Sequence, residues 1–216
     1  MNTVEFIQEN KIITICRRVY GQDLLNLADA LYAGGVKLIE VTFDQADPDC
    51  IARTSDAIAS LCQRFGGKMM FGAGTVLTKE QVKAAADAGA RYIISPNVDP
   101  AVIACTKELG LVSMPGAMTP SEIITAHNLG ADIVKLFPAG YLGFSYIKDI
   151  QGPISHVKLC AAGGVTEKNW NQYLDLNFAG AGISGRLCDK KCIASGNFAE
   201  ITRRAEVFTN ITRSHK

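Results

Sequence analysis

The order in which short apolar runs and helix-periodic stretches alternate leaves this chain few folds to choose from. After a short amphipathic lead (Val4 to Glu9), Lys11-Ile12-Ile13-Thr14-Ile15-Cys16 reads as a buried strand ending at Arg17-Arg18. Leu24, Leu27, Ala28 and Leu31 then recur at helical spacing until Gly34-Gly35 stops the helix. The pattern repeats. Val36 to Phe43 is a second strand, followed by the turn Asp47-Pro48-Asp49 and a helix over Ile51 to Phe65. Lys68 to Phe71 gives a third strand, and Thr78-Lys79-Glu80-Gln81 is a capping-box start to the next helix. Arg91 to Ser95 is the fourth, with Asp99-Pro100 as N-cap and first helical residue. Leu111 to Met114 is the fifth, before the Thr119-Pro120-Ser121-Glu122 capping box. Ala131 to Pro138 is the sixth, Val157 to Ala161 the seventh (Thr166 capping the helix after it) and Phe178 to Ile183 the eighth. Phe198, Ile201, Ala205 and Phe208 mark a final amphipathic helix.

Eight strands alternating with helices, with no linker between them, predict an α/β fold: a (β/α)8 TIM barrel with a short N-terminal helix. The whole of 1–216 forms one domain, and 48% hydrophobic residues supply a core of ordinary size. An open doubly wound sheet is the competing architecture. Two features favour the barrel. Several strands are apolar on both faces, as a barrel between a filled interior and a helix layer requires. The unusual polar residues also gather at the C-terminal ends of many different strands.

The sixth strand carries a lysine where a hydrocarbon is expected. Ile133, Lys135 and Phe137 share one face, Val134 and Leu136 the other. A lone ammonium inside a protein is costly, and its usual relief is loss of the proton. The resulting amine is the nucleophile that carbonyl substrates meet in Schiff-base enzymes. A lysine reaching out to water from a strand end is the plainer alternative. On the second strand Val36, Leu38, Glu40 and Thr42 share a face, so an acid stands behind two apolar residues. Such a carboxylate is either paired structurally or held as a general acid/base.

Glycines end two further strands, in Gly72-Ala73-Gly74-Thr75 and Gly163-Gly164, and Ser184-Gly185 follows the eighth. Loops after the seventh and eighth strands of a barrel commonly hold phosphate on backbone N–H groups. Thr75 offers a hydroxyl to a substrate oxygen or simply to a turn. Arg17 and Arg186 end strands one and eight, neighbours once the barrel closes, and either can hold an anion in its guanidinium fork.

Other classes are disfavoured. A formal net charge of +1 provides no basic field for nucleic acid. The start Met1 to Phe6 lacks the basic and apolar pattern of a signal peptide, and no apolar stretch is long enough to span a bilayer. Seven scattered cysteines form no Cys-x-x-Cys pair, so a reducing cytoplasm is the expected setting. Cys16 and Cys160 read as small buried hydrophobes. His127, His156 and His215 fall in a helix, a loop and the tail, away from strand ends, so no metal site is expected. Trp170 and Tyr173 read as packing.

Taken together, Gly34-Gly35-Val36 to Glu40-Val41-Thr42, Phe71 to Val76, Ile94-Ser95-Pro96, Met114 to Glu122, Val134-Lys135-Leu136-Phe137-Pro138 and Gly163-Gly164-Val165 resemble the 2-keto-3-deoxy-6-phosphogluconate/4-hydroxy-2-oxoglutarate (KDPG/KHG) aldolases. The resemblance covers nearly the whole chain. It implies a class I aldolase working without metal or other cofactor, usually a homotrimer, acting on a small phosphorylated keto acid. By matching positions, it implies Lys135 as the Schiff-base lysine and Glu40 as the acid/base. Thr75, Pro96 and Phe137 would line the substrate site, and Arg17 would meet the substrate's carboxylate or phosphate. Gly163, Gly164, Ser184 and Gly185 would cradle phosphate. Three departures bear on specificity. Ala162 stands where many members have threonine, Asp44 lies in a stretch where one branch has arginine, and Ser184-Gly185 reverses the usual order before Arg186. The expected reaction is cleavage of KDPG to pyruvate and glyceraldehyde 3-phosphate, with 4-hydroxy-2-oxoglutarate as a further substrate. The galactonate epimer, a barrel that binds sugar phosphates without turnover, and a metal-dependent epimerase are the alternatives.

Overall fold

Nine parallel strands form one sheet in the order β5-β4-β3-β2-β1-β9-β8-β7-β6 in the computed structural model, which describes residues 1–215. The strands are β1 (Ile12–Cys16), β2 (Leu38–Thr42), β3 (Met70–Gly74), β4 (Tyr92–Ile94), β5 (Val112–Met114), β6 (Gly116–Ala117), β7 (Val134–Leu136), β8 (Leu159–Ala162) and β9 (Gly180–Ile183). The expected fifth strand, Leu111 to Met114, corresponds to β5, and β6 is a further short strand just beyond it. Pro115 separates β5 from β6, and a proline has no N–H to give a ladder. β5 pairs with β4 and β6 with β7, so the two ends of the strand order meet at this proline. The seam is stitched by Asp132 N–H and Ile133 N–H donating to Ser113 O (3.0 and 3.3 Å) and by Lys135 N–H donating to Pro115 O (2.8 Å). The ring closes there, giving the expected barrel.

The helices are α1 (Thr3–Asn10), α2 (Gly21–Ala33), α3 (Cys50–Phe65), α4 (Lys79–Asp87), α5 (Pro100–Glu108) and α6 (Pro120–Asn128). After β7 come α7 (Ala139–Leu142), α8 (Phe144–Gln151), α9 (Trp170–Asp175), α10 (Lys190–Ala194) and α11 (Phe198–Ser214). Their starts follow the capping chemistry of the sequence. Asp99 caps α5 through Ala101 and Val102 N–H, with Pro100 in the first turn, and Thr119 and Glu122 complete a capping box on α6. Two expectations change. Thr78 caps α4 by accepting from Gln81 N–H, but the Gln81 side chain accepts from Leu77 N–H instead of closing the box. Thr166 caps no helix: α9 begins only at Trp170, and Asn169 holds the intervening turn by accepting from Thr166 N–H.

Two apolar cores result. The larger lies between sheet and helices, and includes Trp170 and Tyr173 as packing residues; Trp170 Nε1–H donates to Thr212 Oγ1 at 2.9 Å. The smaller fills the barrel's lower interior with Ile13, Leu38, Tyr92, Ile94, Met114 and Ile133. Phe6 and Ile7 of α1 join it and close the end of the barrel where the strands begin. Strand alternation then carries the inward face upward, from Leu38 to Glu40 and from Ile133 to Lys135.

Candidate active site

The inward positions of β3 decide where the acid sits. At Gly72 and Gly74 there is no side chain, and the neighbouring strands use the space. An added Cβ at Gly72 would lie 2.2 Å from the Tyr92 ring, whose hydroxyl donates to Ile39 O at 2.7 Å. At Gly74 it would lie 1.7 Å from Glu40 Oε1. Glycine therefore provides the seat of the Glu40 carboxyl group, which is only 2% exposed. Burial pushes this carboxyl above the ordinary range, and the charges of Lys135 and Arg17 pull it partly back. In the sequence Gly74 is only one of the glycines that end the third strand. Its role needs the register of the sheet, in which Gly72 pairs with Glu40 and Gly74 with Thr42. Substituting Gly74→Ala is expected to evict the carboxyl group and reduce turnover to the level of a Glu40 variant; steady-state kinetics of the folded protein check it.

Lys135 is buried, 6% exposed, and flanked in register by Gly116 and Cys160. Two small neighbours leave room beside its long side chain. Its Nζ lies 4.8 Å from the centroid of the Phe137 ring, a cation–π distance, and Phe137 is half-buried. The neighbouring Cys160 thiol is pushed up to about 12, chiefly by burial. Cys160 and Cys16 are buried as expected, and neighbouring Cys188 together with burial pushes the Cys16 thiol well above its usual range. All seven cysteines are free.

A cavity of about 350 Å³ opens beside Lys135 at the C-terminal ends of β1, β7, β8 and β9. Arg17, Phe137, Gly163, Gly164, Ser184 and Gly185 all line it, bringing seven of the ten expected residues together with the lysine. Ala162 and Arg186 line it as well. Its size falls in the usual range for small-molecule sites, about 300–1,000 Å³. Gly163 and Gly164 have φ of +80° and +83°, and an added Cβ at Gly164 would lie 2.7 Å from Gly140 Cα. Their carbonyls accept from Gly140 N–H (2.7 Å) and Asn169 Nδ2–H (3.0 Å), so N–H groups are what this loop can offer a ligand.

Glu40, Thr75 and Pro96 do not line this cavity. Thr75 follows the glycine that seats Glu40. It holds φ +55°, uncommon for a β-branched residue, and its carbonyl accepts from Gln45 Nε2–H at 2.7 Å. Pro96 packs its carbonyl against β6, where Gly116 has no side chain. Two ion pairs were not visible in the sequence. Arg18 meets Asp44 through both carboxylate oxygens (2.9 and 2.6 Å), holding that acid below its usual range. Arg186 pairs with Glu167, its Nε 3.1 Å from Oε2. The histidines lie elsewhere: His127 and His156 rings pack 5.0 Å apart, and His215 stands 3.7 Å from Asp175. Among the described residues no helix is long and apolar enough to cross a membrane.

Known proteins resemble the chain in sequence and in fold. The family model described as KDPG and KHG aldolase matches residues 4–204. A probable 2-dehydro-3-deoxy-6-phosphogalactonate aldolase from Rhizobium meliloti is 35% identical over 180 residues, covering 83% of this chain and 82% of its own. A 2-dehydro-3-deoxy-phosphogluconate aldolase from Haemophilus influenzae is 32% identical over 202 residues, covering 93% and 92%. The fold superposes on KDPG aldolase from Legionella pneumophila, solved with pyruvate captured as a covalent carbinolamine, with a TM-score of 0.84, 29% identity and coverage of 96% and 98%. With a buried lysine facing a glycine-rimmed cavity inside a closed barrel, the chain belongs to the KDPG and KHG aldolase family and is an aldolase, a carbon–carbon lyase.

Proposed function

We propose that the chain cleaves KDPG to pyruvate and glyceraldehyde 3-phosphate through a Schiff base on Lys135, with 4-hydroxy-2-oxoglutarate as a second, unphosphorylated substrate. The observation that carries this is the burial of Lys135 beside a cavity of about 350 Å³ that also takes in Arg17 and the Gly163-Gly164 and Ser184-Gly185 turns. The Lys135 amine attacks the C2 ketone, and water leaves to give a protonated imine. Electrons of the C3–C4 bond flow into that imine as Glu40, directly or through a water, takes the C4 hydroxyl proton. The aldehyde departs, the enamine gains a proton at C3, and hydrolysis returns pyruvate and the free lysine. A carboxyl group whose proton affinity burial has raised suits both the giving and the taking. Arg17 holds the substrate carboxylate or phosphate, the glycine turns hold the phosphate, Phe137 walls the cavity, and Thr75 and Pro96, outside that lining, are assigned to the reacting end of the substrate. The carbinolamine in the Legionella relative supports the covalent step.

The galactonate epimer is the second reading, favoured by Ala162, which adds only a methyl group to the cavity wall and leaves room for a differently configured hydroxyl. The relative at 35% identity carries the galactonate name. Pyruvate release from the two phosphorylated epimers and from 4-hydroxy-2-oxoglutarate tests both readings. The gluconate epimer is expected to give the highest kcat/KM; a preference for the galactonate epimer transfers the assignment, and no cleavage of any of them ends it.

A further inference from the structure

Arg186 has a position and a partner that the glycine turns do not explain. It lines the Lys135 cavity, and on its other side it borders a second cavity of about 310 Å³ bounded by Glu167, Glu200, Arg203 and Arg204. Its side chain therefore has open space in two directions and is half exposed. Its backbone, by contrast, is fixed. Ser184 O accepts from Leu187 N–H (2.9 Å) and Cys188 N–H (2.8 Å), and the buried Leu187 pins the turn to the core. Arg204 Nη1 donates to Arg186 O at 3.3 Å and is itself held by Asp189 at 2.9 Å. A half-exposed guanidinium on an anchored turn results, one residue beyond Gly185.

We propose that Arg186 is a specificity-determining residue that exchanges Glu167 for the phosphate of the substrate. The inference rests on the aldolase reading above and names what that site does with its phosphorylated end. Glu167 offers one negative charge on two oxygens. A phosphate monoester near neutral pH carries about −1.5 to −2 on three oxygens and suits the guanidinium fork better. A half-exposed ion pair contributes little to stability, so its release is cheap. With no phosphate in the cavity, Glu167 neutralises the arginine; with phosphate on the glycine turns, the guanidinium closes over it from the rim.

Kinetics on the KDPG and 4-hydroxy-2-oxoglutarate pair, with calorimetric binding of inorganic phosphate, tests the exchange in wild type, Arg186→Ala and Glu167→Gln. Arg186→Ala is expected to raise KM for the phosphorylated acid about ten- to hundredfold, the loss of a charged hydrogen-bonding partner, while KM for the unphosphorylated acid stays near the wild-type value. Glu167→Gln removes the competitor and is expected to lower KM for the phosphorylated acid and tighten phosphate binding. A purely structural pair would instead make both variants weaken both substrates alike, and that result overturns the proposal. So does phosphate binding that is undetectable in wild type or equal in Arg186→Ala. Phosphate binding that depends on Arg186 in a chain that cleaves neither acid sustains the clamp and sinks the assigned reaction.

Discussion

Lys135→Met is expected to abolish cleavage and, with it, the adduct that borohydride fixes when the wild-type protein is incubated with pyruvate. No remaining group can serve as the electron sink, because the imine nitrogen is the lysine's own. Methionine is chosen for its shape. The site is 6% exposed and rests on the Phe137 ring, so a flexible apolar chain fills it without a void. A hydrocarbon chain of similar length also needs no polar partner in this buried position. The variant should therefore melt at or above the wild-type temperature while doing no chemistry. Mass spectrometry of the reduced pyruvate complex provides the check; a labelled lysine in Lys135→Met protein would place the covalent step on another residue.

Glu40→Gln is expected to lower kcat by about 10²–10⁴-fold, the range in which a positioned acid/base contributes. The same change should make the protein more stable at neutral pH. Burial raises the proton affinity of Glu40 in the folded state above its ordinary value of 4.5. Between the unfolded and the folded pKa the native state binds more protons than the unfolded one, so stability declines as pH rises through that window. The stability associated with the raised value is fully present below 4.5, where both states are protonated, and is lost above the folded value. Glutamine has no such dependence. Melting curves of both proteins from pH 4 to pH 8 should coincide at the acid end and separate upward, the variant on top. A variant that turns over normally, or that melts lower throughout, would show that Glu40 is neither the acid/base nor an ionisable group in a dry seat.

The barrel was legible because its parallel strands are buried on both faces and appear as uninterrupted apolar runs, while Asp99-Pro100 and Thr119 to Glu122 punctuate the helices with caps that work locally. Lys135 and Glu40 were legible for the opposite reason, as charges on inward faces. What stayed hidden depends on neighbours distant in sequence. That Gly74 is a seat rather than a turn follows from its strand's register with β2. The Arg18–Asp44 and Arg186–Glu167 pairs join loops that follow neighbouring strands, β1 with β2 and β8 with β9, and only the strand pairing brings them together. Thr166 looked like a cap because Ser and Thr favour that position, but the Asn169 side chain captures the turn first. The break at Pro115 could have been foreseen from its missing donor alone; the run simply looked finished at Met114.

The first helix lines no part of the cavity, yet the acid depends on it. By packing Phe6 and Ile7 beneath Leu38 and Tyr92, it works as a cork. Pulled out, it would let water rise from below to the underside of Glu40, and hydration would return that carboxyl group to an ordinary acid. The alkaline reach of catalysis would then be governed from the far end of the tube, by two hydrocarbon side chains that no substrate ever meets.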